Sequence, residues 1–287
     1  MKKLTLHAKN FPRLLKAIPG APQELYVLGD NFGDLMTRPC LAVVGSRRAS
    51  PYGRRVTDSL VSDLSRQGMV IVSGLAYGID SIAHASTLAA GGKTIAVLPG
   101  GLDNIYPVSH QKLAEQILKS GGALVSEYPP GTSAHKHHFV ARNRIISGLS
   151  SAVLITEAAE KSGSLHTANF ALEQGRDVMA VPGSIYNHLS AGTNRLIRTG
   201  ATPITCAQDV LDVLGLEQIA LKLDDLLAGR SPAEQKVLGL LDGGSTDDST
   251  LFEKSCLDVS LFNRTLTGLE IAGIIKRVGA STWALRV

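Results

Sequence analysis

The chain has 287 residues, 44% of them hydrophobic, enough for one large or two modest domains around a sizeable core. Its net charge is +4, and its sequence pI near 9.0 favours a polyanionic partner. Three widely separated cysteines (Cys40, Cys206, Cys256), no apolar leader after Met1 and no apolar run of membrane-spanning length argue against a disulfide scaffold, a secreted protein or a membrane span. These features lead us to expect a cytoplasmic protein.

Residues 1–40 carry short apolar anchors, Phe11 to Leu15 and Leu25 to Leu28, between turn residues. They are expected to drape over the main sheet, with room for an edge strand. Leu41 to Val44 is a fully apolar run that reads as a buried strand of a parallel sheet. Gly45 breaks it. Ser50 then caps a helix that Pro51 opens. A strand, a glycine turn and a helix N-terminus make an anion-binding corner, in which free backbone N–H groups and the helix dipole share one target. Ser46 adds a hydroxyl there, and Arg47 and Arg48 add guanidinium groups that fit phosphate. The same residues also suit a tight turn with solvated arginines, although cations at a helix N-terminus oppose its dipole.

The alternation then repeats. Helix Pro51 to Gln67 places Val56, Leu60, Val61 and Leu64 on one face, and Gly68 ends it. Strands are expected at Val70 to Ser73, Thr94 to Leu98, Ala123 to Ser126, Ala152 to Thr156 and Asp177 to Val181. Helices are expected at Ile79 to Ala90, Ser109 to Lys119 and Leu165 to Gln174. Such a sequence builds an α/β fold, an extended Rossmann-like doubly wound parallel sheet over residues 41–215. Ligands of these sheets bind outside the carboxyl ends of the strands. Those ends gather Gly45-Ser46-Arg47, Ser73-Gly74, Pro99-Gly100-Gly101, Glu157 and Pro182-Gly183 at one rim.

Two further segments of that rim carry chemistry. His135 to Arg144 reads as a loop holding three histidines, Lys136, two arginines and Phe139. Lys136, His138, Arg142 and Asn143 could serve phosphates there, and Phe139 could stack on a base, a mixture that suits single-stranded nucleic acid. A histidine metal site lacks a second ligand cluster, so no metal is assigned. A solvated polar loop, with Phe139 as a core anchor, is the plain alternative. Ser162-Gly163-Ser164 brings hydroxyls and a flexible backbone to the next helix N-terminus, which suits a phosphate, a sugar or simply a good cap.

Residues 216–230 read as a linker. Beyond them, helices at Ser231 to Leu241, Thr250 to Cys256 and Val259 to Ala272 precede a hairpin of Ile274 to Val278 and Thr282 to Leu285, the element order of a small winged-helix domain over residues 231–287. The first 230 residues hold 23 Lys and Arg against 18 Asp and Glu, and the remainder 6 against 7. The basic character therefore lies in the large domain, and the C-terminal one is expected to contact protein or to touch DNA weakly.

These segments together resemble the DNA-processing protein A family, also called Smf. The matching residues include Val43-Val44-Gly45-Ser46-Arg47, Ser73 to Asp80 with His84, Val97 to Asp103 with Tyr106-Pro107, Ser126 to Gly131, Phe139 to Ile146, Gly148 to Ser150, Glu157-Ala158 with Ser162-Gly163-Ser164, and Val181-Pro182-Gly183. The resemblance implies a protein of bacterial natural transformation that binds incoming single-stranded DNA, protects it and helps load the RecA recombinase. It implies no cofactor and no catalytic residue. It also implies a homodimer formed near the end of the sheet domain, where Leu196 and Ile197 are the candidate contacts. By matching positions, Arg47 is the phosphate-contacting arginine, and Lys136 and Phe139 are the pocket lysine and aromatic. Val140 follows Phe139 where the family often has proline. A rival from another class is a nucleotide phosphoribohydrolase-like enzyme or nucleotide sensor, with Glu157 as catalytic carboxylate. The Leu102-Asp103-Asn104 that follows Gly101 departs from the Pro-Gly-Gly-x-Gly-Thr run such enzymes carry.

Overall fold

The structure is a computed structural model that describes residues 1–216, 230–242, 247–277, 279 and 281–285. The chain divides into two compact units, residues 1–217 and 218–287.

The first unit is built on one nine-stranded sheet. Its strands are β1 (Lys2–Thr5), β2 (Glu24–Leu28), β3 (Cys40–Val44), β4 (Val70–Ser73), β5 (Lys93–Leu98), β6 (Ala123–Ser126), β7 (Ala152–Ile155), β8 (Asp177–Ala180) and β9 (Thr202–Pro203), in the spatial order β1-β2-β6-β5-β4-β3-β7-β8-β9. From β6 across to β9 all neighbours are parallel. Winding runs outward from β3 in one direction through β4, β5 and β6, and in the other from β7 through β8 to β9. The order therefore reverses between β3 and β7, where Leu41 pairs with Ala152 and Val44 with Ile155. A crevice opens at such a reversal because the flanking helices leave in opposite directions.

The connections are helices α1 (Arg13–Lys16), α2 (Phe32–Leu35), α3 (Pro51–Arg66), α4 (Ile79–Ala89), α5 (Gln111–Lys119), α6 (Lys136–Gly148), α7 (Ser164–Glu173), α8 (Ala191–Arg198) and α9 (Ala207–Leu214). The two-residue period of the strands splits the core into faces. Ala42, Val44, Val72, Val97 and Val153 pack with Ile145 and Ile146 of α6 and Ala168 of α7. Leu41, Val43, Ile71 and Leu154 point the other way, onto Leu60 and Leu64 of α3, Ile79 of α4 and Val210 of α9.

Two features differ from the sequence reading. The lead-in contributes two strands, β2 antiparallel to β6 and β1 antiparallel to β2, while its Phe11, Leu15 and Ile18 bury into the α6 side of the core. The segment expected as a loop from His135 is a helix from Lys136 onward. Its inward positions are His138, Arg142, Ile145, Ile146 and Leu149, at helical spacing. Polar side chains fill the first two of them, which hides the apolar stripe from a hydropathy reading.

In the second unit, α10 (Pro232–Asp242), α11 (Asp248–Ser255) and α12 (Val259–Ile271) precede antiparallel strands β10 (Ile275–Arg277) and β11 (Trp283–Leu285). Val237, Leu238, Leu251, Phe262, Leu269 and Trp283 form their core. The expected linker at 216–230 falls almost wholly outside the described residues. Among the described residues, no helix is long and apolar enough to cross a membrane.

His84 of α4 is fully buried, its Nδ1 paired at 2.7 Å with Thr94 Oγ1 of β5. Thr94 Oγ1 itself donates to the Ile71 carbonyl, so His84 donates from Nδ1 and its Nε2 is left bare. Burial lowers the His84 pKa from 6.5 to about 3, helped by the nearby Arg142 charge. A histidine depressed in the folded state binds its proton first in the unfolded chain, so its contribution is fully present above pH 6.5 and is lost as pH falls from there toward 3. Denaturant titrations across that range are expected to show wild-type stability falling more steeply than that of His84→Gln. The difference in slope should approach about 1.4 kcal/mol per pH unit. Parallel slopes would contradict the assignment.

Candidate nucleic-acid interface

At the carboxyl ends of β3, β4 and β7 lies a cavity of about 780 Å³, whose walls come from the turn after β3, the start of α6 and the start of α7. Its base is set by Gly45: a Cβ there would stand 2.6 Å from Ile79 Cγ1 and 2.7 Å from the Glu157 carbonyl oxygen. Ser46 N donates to that same carbonyl at 2.7 Å, which ties the β3 end to the β7 end.

Several of the backbone donors foreseen as free at this corner are already engaged. Arg48 N donates to Ser46 Oγ at 3.1 Å, Gly53 N donates to Ser50 Oγ at 3.0 Å, and Ser50 N donates to Glu157 Oε2 at 2.8 Å. Ser50 Oγ also donates to Glu157 Oε1. A buried carboxylate of the protein itself thus answers the α3 dipole. Arg47 and Arg48 are exposed above it, and neither forms an ion pair among the described residues.

The opposite wall is aromatic and cationic. Arg47 Cζ lies 5.3 Å from the centre of the Phe139 ring, and Tyr106 meets the same ring edge-on at a 5.3 Å centroid distance. Phe139 is half-buried, so it is neither a pure core anchor nor a free surface ring. Lys136 is exposed in the first turn of α6, where the dipole disfavours a cation. Its charge there gains nothing from the helix and is available to an anion. Asn143 reaches the Gly163 carbonyl at 3.5 Å, and the Ser162 and Ser164 hydroxyls pair at 2.8 Å on the remaining side.

Beneath the floor, Arg142 Nη1 donates to the Gly74 carbonyl at 2.6 Å and also to the Val97 carbonyl. Asp80 Oδ2 accepts from Gly74 N at 3.1 Å. Burial raises the Asp80 pKa, with the Arg142 charge opposing that rise, and burial lowers the Arg142 pKa to about 10. Arg142 therefore stays protonated at neutral pH and bolts α6 to the ends of β4 and β5.

The structure gathers Gly45, Ser46, Arg47, Arg48, Lys136 and Phe139 around one cavity, together with Arg142, Asn143, Ser162, Gly163 and Ser164. Ser73, Gly74 and His138 are not on its wall. Ser73 Oγ is spent on the Val43 carbonyl at 2.6 Å. Gly74 has no side chain because the Arg142 guanidinium occupies that space. His138 is buried with Nδ1 donating to the Pro99 carbonyl at 3.0 Å and its ring stacked 4.0 Å from that of Tyr128; burial also lowers its pKa. Leu196 is partly buried against the core, and Ile197 beside it is half-exposed. Tyr106 is a cavity residue that sequence reasoning quoted only within a motif and did not assign.

The sequence profile of the family described as DNA recombination-mediator protein A matches residues 2–215. The chain belongs to that family. It is 44% identical over 212 residues to the DNA processing protein DprA of Bacillus subtilis, covering 74% of this chain and 70% of that one. Against DprA of Streptococcus pneumoniae it is 46% identical over 201 residues, with 70% of each chain covered. The crystal structure of the S. pneumoniae protein aligns with a TM-score of 0.69 at 43% identity, covering 74% of this chain and 73% of that one. A Helicobacter pylori DprA structure, described for its single-stranded DNA binding mode, aligns with a TM-score of 0.66 at 33% identity, covering 74% and 98%. Family membership thus covers the sheet unit that carries the cavity.

Removing the bolt should loosen this cavity. Arg142→Met is expected to destabilise the sheet unit by about 3–5 kcal/mol, because Asp80 is left buried beside an uncharged neighbour. Adding Asp80→Asn should return part of that loss, read from denaturation midpoints. A neutral Arg142→Met would contradict the assigned role.

Proposed function

We propose that the protein binds single-stranded DNA in the cavity between the β3 turn and α6, protects it during natural transformation and helps load RecA onto it. The observation that carries this reading is the Arg47–Phe139 pair. An exposed guanidinium over an aromatic ring offers a phosphate contact and a stacking surface within one strand's reach. Lys136 supplies a neighbouring cation, and Tyr106 widens the aromatic wall. The relatives named for DNA processing, one of them described by its single-strand binding, support the same reading. Duplex DNA should bind more weakly, since its bases are not free to stack on Phe139.

Binding is favoured over catalysis by Glu157, the carboxylate a phosphoribohydrolase would need. It is 1% exposed, and Ser50 engages both its oxygens. A homodimer through α8 belongs to the proposal with Ile197 as the contact, since Leu196 already packs inward. A monomeric mass in light scattering at micromolar concentration would remove it.

The division of labour in the cavity is testable by fluorescence anisotropy across a salt series with a mixed-sequence oligonucleotide. Arg47→Ala is expected to weaken all single strands alike and to flatten the log–log salt slope by about 0.7, one phosphate contact. Phe139→Ala should cost about 1–3 kcal/mol per stacked base with the slope unchanged. Because the two side chains touch, the double variant should lose less than the sum, by at least about 0.5 kcal/mol. Wild-type affinity in both single variants would place the DNA elsewhere.

A further inference from the structure

The loop between β8 and α8 runs along the cavity mouth, where Leu189 is part of the wall. Three residues earlier, Tyr186 is 94% exposed and its neighbour Ile185 is 83% exposed. Neither the ring nor the hydroxyl of Tyr186 has a partner among the described residues; its backbone N donates to Ser184 Oγ at 3.3 Å.

Such exposure on a wandering loop would mean little, but this loop is tied at several points. Asn194 binds Gly183 from both sides, accepting from its N–H at 3.1 Å and donating to its carbonyl at 2.9 Å. Asn187 Oδ1 accepts from Leu189 N at 3.0 Å. Tyr52, itself 38% exposed, donates its hydroxyl to the Pro182 carbonyl at 2.7 Å and so joins the loop to the start of α3. The anchored backbone holds two large apolar side chains out in water.

The surrounding charge is one-sided. No acidic residue occurs between Asp177 and Asp209. The same span carries Arg195 and Arg198 of α8, both exposed and in no ion pair among the described residues. An exposed ring in a segment without acidic residues repeats, outside the cavity, part of the chemistry found inside it.

We infer that this loop is a second stacking subsite for a single-stranded polynucleotide where it leaves the cavity, with Tyr186 taking a base. The inference rests on the single-strand reading of the cavity and extends it to a longer path. A base is the fitting occupant for an uncapped aromatic ring in a segment whose formal charges are all positive, because stacking needs only a π-face and the phosphates supply the countercharge.

The test compares wild type, Tyr186→Ala, Tyr186→Phe and Arg47→Ala on homogeneous oligonucleotides of about 4 and about 16 nucleotides. Tyr186→Ala is expected to bind the long strand about tenfold more weakly, to leave the short strand unaffected, and to keep the wild-type salt slope. Tyr186→Phe should bind as wild type does, since the ring is retained. If wild type and Arg47→Ala behave as the cavity reading requires while Tyr186→Ala binds both lengths normally, the second subsite is overturned and the cavity stands. Equal losses at both lengths would move Tyr186 into the cavity site and likewise overturn it. A fall in mass by light scattering for Tyr186→Ala would assign the loop to a contact between copies. Wild type that binds neither strand would instead refute the cavity reading itself.

Discussion

The Glu157 carboxylate is the constraint on which the site depends. It sits at the reversal point of the sheet, buried, and accepts from Ser50 N and Ser50 Oγ at the start of α3. An anion held at a helix N-terminus by charge-assisted hydrogen bonds is well placed electrostatically. Close approach makes it possible, because Gly53 leaves no Cβ where Glu157 Oε2 would be 2.6 Å away. One carboxylate therefore fixes the end of β7, the start of α3 and the turn between them. Arg47 and Arg48 emerge from that turn, and their position over the crevice follows from the same clamp. Several of the nearby backbone donors serve the fold in the same way.

A second buried cluster does the equivalent work for the facing wall. Arg142 draws the ends of β4 and β5 onto α6 through the Gly74 and Val97 carbonyls. With α6 so held, Phe139 comes under Arg47 and Lys136 stands at the mouth. The cavity is thus framed by two buried side chains, Glu157 and Arg142, each held by hydrogen bonds to distant parts of the chain, although the Arg142 Nε has no partner among the described residues. Rigid walls of this kind lower the ordering cost when a flexible strand is bound.

Much of this was legible in the sequence, because parallel strands buried on both faces read as unbroken apolar runs. β3, β4 and β6 fall where Leu41, Val70 and Ala123 begin such runs, and Ser50-Pro51 announces α3 by its own capping chemistry. The helix α6 was not legible. His138 and Arg142 stand at its core-facing positions, hydrogen-bonded to carbonyls distant in the chain, and no local pattern reports such long-range partners. The same limit applies to Ser73 and Gly74, whose rim position is visible in sequence but whose engagement with Val43 and Arg142 is not. One of the free donors expected after Gly45, Ser50 N, is taken by Glu157, more than a hundred residues away in the chain. Sequence thus located the rim, and packing decided which of its residues remain available to a ligand.

The most direct measurement is a crystal structure of the full chain with a short single-stranded oligonucleotide. The account predicts a phosphate against the Arg47 guanidinium, a second near Lys136 and a base against the Phe139 ring, with the Glu157–Ser50 hydrogen bonds intact. A strand lying elsewhere on the sheet unit, or a phosphate that displaces Glu157 from the start of α3, would contradict it.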